Sequence, residues 1–220
     1  MNKEKTKRLM QKSGRYLRDF SIVVAGIAVT LYVNSWLADR NEKKDTVRYL
    51  TALKLELEQD TIAICNIIKT FEKSSGYERY ILSHDKQSLN RDSIESYRSI
   101  QYHVLSYTPQ TSAFEMFKIS GNMRFINNKE TMQSIWNAYS CMEDLKNFLD
   151  SFYQCKDREI DKDVQFELEK GKPVDIPMYG FFWRGRDTNM LEICRERLQV
   201  VKETLSKLDE IITDFSAGNR

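Results

Sequence analysis

The chain has 220 residues, enough for one domain of ordinary size or one domain plus an appendage. Eight Gly and three Pro exclude a loop-rich sandwich, a collagen-like rod and a low-complexity chain, and aromatic residues at 11% exclude strong disorder. The net charge of +2 suits a soluble globule, but its distribution does not: residues 1–19 hold seven basic groups against Glu4 and Asp19, a net of +5, and the other 201 residues carry 27 basic and 30 acidic groups, a net of −3.

After this basic tail (1–19) comes Phe20 to Ala38, FSIVVAGIAVTLYVNSWLA, nineteen residues without a charge. As a helix it reaches ~28 Å, against a hydrocarbon core of ~30 Å. Tyr16 before the stretch and Trp36 near its end suit the aromatic belts of a bilayer. The competing readings are a cleaved signal peptide, a buried core helix and a nucleic-acid-binding arm. The basic region is long for a signal, and no Ala-x-Ala follows the apolar stretch. No aromatic residues interleave with the basic ones to make a nucleic-acid surface, so no nucleic acid is expected as a partner. The expectation is an uncleaved signal-anchor crossing the bilayer once through residues 20–38. Beyond it, Asp39 to Arg48 mixes four basic with three acidic residues, so the positive-inside rule places the N-terminus in the cytoplasm and residues 39–220 across the membrane. In a Gram-negative cell that compartment is the periplasm.

Gly26-Ile27, Leu31, Asn34 and Trp36 form the pattern G-I-x-x-x-L-x-x-N-x-W, followed by charges, then Tyr49-Leu50 and Leu53 through Asp60. Thr111 to Tyr139 reads TSAFEMFKISGNMRFINNKETMQSIWNAY. Over about 15–60 and 108–140 the chain resembles a family of small single-span proteins of the Bacteroidota, catalogued as a domain of unknown function. The resemblance implies an uncleaved anchor and a helical exterior domain, and it implies no reaction; with the orientation above, the location expected is the bacterial inner membrane.

Past the span the apolar spacing is helical nearly throughout. Leu50, Leu53, Leu57, Ile64, Ile67 or Ile68, and Phe71 follow three–four steps, and Ser74-Ser75-Gly76 is the predicted stop. A second helical stretch over about 77–105 breaks near 84–92, where Asp92 is placed to cap a restart, and Thr108-Pro109 ends it. A short helix over 111–119 closes at Gly121-Asn122. A long helix from Asn128 to Glu169 carries Met132, Ile135, Tyr139, Met142, Leu145, Leu149 and Phe152 on one face and stops at Gly171 and Pro173. A loop then leads to Asp187-Thr188 as caps of a last helix with the seam Leu191, Cys194, Leu198, Val201, Leu205, Leu208, Ile212 and Phe215. The fold class expected is all-α: a transmembrane helix continuing into an elongated antiparallel bundle with coiled-coil-like seams.

The sequence offers little chemistry. His84 and His103 lack the Glu-x-x-His and His-Glu-x-x-His contexts of bundle metal sites, and the glycines form no phosphate loop, so no metal or cofactor is expected. Glu56, Glu58 and Asp60 read as a solvated helix face, and Asp157, Asp161 and Asp163 as a mixed-charge surface. Cys65, Cys141, Cys155 and Cys194 show no Cys-x-x-Cys. Cys141 and Cys155 on one helix stand ~21 Å apart, too far for a disulfide. Cys194 reads as a buried apolar residue, and a cross-helix bridge involving Cys65 stays open. The most distinctive segment is Met178-Tyr179-Gly180-Phe181-Phe182-Trp183-Arg184. Tyr179, Phe181, Phe182 and Trp183 form either an aromatic tip that grips a partner or a loop folded back to plug the bundle. The function expected is a membrane-anchored, non-enzymatic scaffold or interaction module, with a homo-oligomer or an envelope protein as partner. The alternative is a periplasmic small-ligand-binding or sensor-like bundle with a pocket near Tyr97, Trp136 and Tyr139.

Overall fold

The computed structural model describes residues 3–85, 87–96, 105–126, 128–172, 174–176, 178–182 and 184–217, the side chains of 3–19, Tyr179 and Gly180 excepted. Regular structure among them is helical, with no strand. The elements are α1 (Lys3–Leu82), α2 (Arg91–Ser96), α3 (Ser112–Ser120), a 3-10 turn (Asn122–Phe125), α4 (Lys129–Lys170), the single turn α5 (Tyr179–Phe182) and α6 (Arg186–Ala217). The chain divides into two compact units, residues 1–47 and 48–220.

In the first unit the apolar stretch is helical and uncovered. Phe20, Ile22, Val29, Leu31 and Tyr32 are each more than half exposed, and the apolar window has no share of its residues buried. The Thr30 hydroxyl donates to the Gly26 carbonyl at 2.8 Å, satisfying a polar group within the helix itself. This helix is long and apolar enough to cross a membrane.

In the second unit α1, α4 and α6 share one apolar core. Leu50, Leu53, Leu57, Ile64 and Phe71 of α1 pack with Ile135, Met142, Leu145 and Leu149 of α4 and Cys194, Val201 and Leu208 of α6. The cross-helix partners give the directions. Lys54 meets Asp209 at 2.6 Å, and Glu72 meets Arg195 at 3.0 Å, so α6 descends as α1 ascends. Glu56 meets Tyr139, and Phe71 packs edge-on to Phe152 with ring centroids 5.1 Å apart, so α4 runs the same way as α1.

Local signals explain most boundaries. Asn128 Oδ1 accepts from the N–H groups of Glu130 and Thr131, so Asn128 caps α4, which starts one residue after the predicted start. Gly171 (φ 61°) ends α4, with its N–H donating to Glu167 O, and Gly121 (φ 72°) ends α3. Two predictions are corrected. Ser74-Ser75-Gly76 does not stop α1, which runs on to Leu82: both serines are buried, and their hydroxyls donate back to the carbonyls of Phe71 and Glu72. The restart at α2 is capped by Asn90, whose Oδ1 accepts the Asp92 N–H at 2.8 Å, rather than by Asp92 itself.

Candidate functional site

Met178, Phe181 and Phe182 of the aromatic segment belong to the core. Met178 takes a left-handed backbone (φ 51°), and its N–H donates to Asp163 Oδ2 at 2.6 Å, turning the chain inward just before α5. Phe181 and Phe182 are 1% and 0% exposed. The Phe182 ring meets Tyr77 at 4.8 Å, and the Phe181 ring meets Phe152 at 5.2 Å, both edge-on. Arg186 covers the Phe181 ring at 5.4 Å. Of the four residues read as either an interaction tip or a plug of the bundle, these two are packed inward, with α1 and α4 against their faces. Trp183 and the side chain of Tyr179 lie outside the described residues.

The structure instead gathers buried ionisable groups in two places. In the first, Glu56 on α1 accepts from the N–H of Ala113 at 2.6 Å, the N–H of Phe114 at 3.3 Å and the Tyr139 hydroxyl at 2.9 Å. One turn on, Asp60 Oδ2 accepts the Gln110 N–H at 3.1 Å. Burial pushes the Asp60 carboxyl up to about 6, against the Gln110 N–H and the neighbouring Tyr107 hydroxyl, which hold it down. Burial likewise raises the phenols of Tyr107 and Tyr139. The solvated face expected for Glu56 and Asp60 is thus corrected: both are buried, and their oxygens hold the segment that enters α3. Here a carboxylate caps a helix N-terminus from another element.

In the second place, Glu78 of α1 caps α6. Its Oε1 accepts the Asp187 N–H at 3.0 Å, and its Oε2 accepts the Thr188 N–H at 2.8 Å and the Thr188 hydroxyl. The sequence points to Asp187-Thr188 as the cap, whereas the capping carboxylate lies on α1. Asp187 is itself buried, and desolvation lifts its carboxyl to about 6 despite the Ser74 hydroxyl and the Lys156 ammonium beside it. Burial lowers the Lys156 ammonium, opposed by Asp187 and Asp157, and its Nζ lies 5.8 Å from the Tyr153 ring centroid.

The remaining candidates stay dispersed. His84 is exposed, with Nδ1 near the Tyr80 carbonyl and the Ser83 hydroxyl. His103 and Tyr97 lie outside the described residues. Among the described residues no three His, Cys, Asp or Glu side chains group to hold a metal ion. Tyr139, placed by the sequence at a ligand pocket, stacks on Phe114 at 4.1 Å, with Trp136 edge-on to the same Phe114 ring. All four cysteines are free thiols; Cys194 is fully buried and pushed up to about 12, whereas the half-buried Cys155 thiol is lowered by Arg186 and by Arg158, whose Nη2 lies 3.1 Å from Sγ. Comparison with protein-family models, curated proteins and solved structures finds no match.

Proposed function

We propose that the chain is a single-span protein of the bacterial inner membrane, its N-terminus in the cytoplasm and residues 39–220 in the periplasm, where the helical unit serves as a non-enzymatic docking scaffold. The observation that carries this reading is the uncharged helix of residues 20–38, which the fold leaves wholly exposed. Uncovered apolar surface of this length on a folded chain is what a bilayer accommodates. The flanking charges, +5 before the stretch and nearly balanced after it, support the orientation. The helices that follow are read as an antiparallel bundle, with α4 the departure from a simple up-down order.

The scaffold role is supported by how the buried acids are used. The oxygens of Glu56, Asp60 and Glu78 accept from backbone N–H groups of other segments, so these acids hold elements together. Such a unit presents a fixed surface, and its partners are sought on its exposed faces rather than at the aromatic turn. Alkaline phosphatase or green fluorescent protein fused after Arg220 of the full chain tests the topology. Phosphatase activity without fluorescence is expected, and the reverse pattern overturns the orientation. Crosslinking of the full chain in native membranes then reads out the docking role, and a chain that crosslinks to no protein and to no second copy contradicts it.

A further inference from the structure

Helix α1 begins at Lys3, so the basic tail enters the apolar stretch as helix and has a fixed angular register. At 100° per residue, Thr6, Leu9, Met10, Ser13, Tyr16, Leu17 and Phe20 fall within one arc of about 120°. No charge lies in that arc. All seven basic residues and both acids of residues 3–19 fall on the remainder of the circumference. Lys5 and Lys12 border the arc on one side and Lys3 on the other, with Arg8, Arg15, Lys7 and Arg18 farther round. A tail serving only as a topology signal needs basic residues in number, not a sorted face. A sorted face with basic flanks is the pattern of a helix lying in the interface of an anionic bilayer.

We infer that residues 3–19 form an amphipathic segment that lies on the anionic lipid surface of the leaflet from which the span emerges, with Leu9, Met10, Tyr16 and Leu17 in the acyl boundary and the flanking Lys and Arg on lipid phosphates. The inference rests on the reading of residues 20–38 as the span. Charge complementarity selects the occupant: a net of +5 over nineteen residues suits a leaflet rich in anionic headgroups, where each basic residue strengthens binding roughly fivefold. The consequence is a chain held at two depths, by the span and by a basic collar.

The test uses the full chain in lipid nanodiscs, with a genetically encoded spin-labelled residue at position 9, 11 or 29, and compares collision with oxygen and with a water-soluble nickel chelate. In discs of phosphatidylglycerol and phosphatidylcholine, the label at 9 is expected to favour oxygen and the label at 11 the nickel chelate. In pure phosphatidylcholine, and in K5Q/R8Q/K12Q/R15Q, where four contacts of roughly fivefold each weaken surface binding by a factor on the order of several hundred, the label at 9 is expected to become at least about tenfold more accessible to nickel. A label at 9 that is aqueous in anionic discs overturns the inference, and so does one shielded from both reagents, which means a protein covers it. The label at 29 separates the two readings. If 29 is lipid-facing and 9 aqueous, this inference alone fails; if 29 is aqueous, the span fails and takes the inference with it.

Discussion

Glu78 has no exposed surface, yet its carboxylate serves three donors of residues 187 and 188, 109 and 110 positions away in sequence. A carboxylate at a helix N-terminus gains from the unpaired N–H groups there and from the macrodipole. Removing it leaves the buried Asp187 N–H without its acceptor, at roughly 1–3 kcal/mol for a buried group, and costs the two Thr188 bonds as well. Glu78→Ala is therefore expected to destabilise the full chain in detergent by about 2–4 kcal/mol, and Glu78→Gln, which keeps one acceptor, by less. Urea denaturation followed by circular dichroism measures both, and an alanine variant as stable as the wild type contradicts the cap. Asp60 and Asp187 make a second prediction, in pH. Both carboxyls sit at about 6 in the fold against 3.8 as the ordinary value, so the folded chain keeps protons that the unfolded chain releases. Their contribution is fully present below pH 3.8, is lost as pH rises through about 6, and is flat above that. Stability contributed by this pair thus falls between about pH 4 and pH 6. Asp60→Asn and Asp187→Asn should each flatten part of that slope in urea midpoints measured across the interval. An unchanged slope in both variants would remove desolvation as the cause.

On α1 the seam positions run Leu50, Leu53, Leu57, Asp60, Ile64, Ile67, Phe71, Ser74, Glu78 and Ile81, a strict alternation of three and four, and every one is buried. On α4 the same alternation runs Thr131, Ile135, Ala138, Met142, Leu145, Leu149, Phe152 and Lys156, again all buried. The apolar members made the helices legible, and the caps at Asn128, Gly121 and Gly171 made their ends legible within a residue or two. The polar members were equally visible at those spacings, but charge reads as solvent-facing when a helix is taken alone. The partners of Asp60 and Glu78 lie 50 to 110 residues away, which no local pattern encodes. The same limit hid the role of Asp163, whose partner Met178 is in a turn with no helical period. Ser74-Ser75-Gly76 misled for a related reason: stop signals act through local competition for the backbone, and here the serine hydroxyls bond back within the helix while tertiary burial keeps it wound. Seam polar groups of opposite charge should behave as a coupled set. Lys156→Met leaves Asp187 buried without its nearest ammonium, so the single variant should lose more stability than it adds to Asp187→Asn. A double-mutant cycle is expected to show coupling of about 1–3 kcal/mol. Additivity within about 0.3 kcal/mol would mean the two groups share only the neighbourhood.

The two units ask for different solvents. Residues 48–220 bury a continuous apolar core, whereas the helix through residues 20–38 exposes its apolar side chains on every side. A buried core helix would present one covered stripe, and the absence of any such stripe here is why the span reading is preferred to it. Ile27 and Leu31 lie near the middle of the stretch, 56% and 64% exposed, and neither contributes to the core of the second unit. An aspartate at the centre of a span costs about 2.5–3.5 kcal/mol of insertion. I27D/L31D should therefore cost about 5–7 kcal/mol and lower the insertion equilibrium constant by a factor on the order of ten thousand. The wild-type chain is expected to stay with membranes through alkaline carbonate extraction, and I27D/L31D to appear in the supernatant or the soluble fraction. Because these positions lie outside the core, the variant's urea transition should match that of the wild type. A wild-type chain released by carbonate, or a doubly charged variant that still pellets as an integral protein, would overturn the membrane assignment. A shifted urea transition would show instead that the stretch packs against the helical unit.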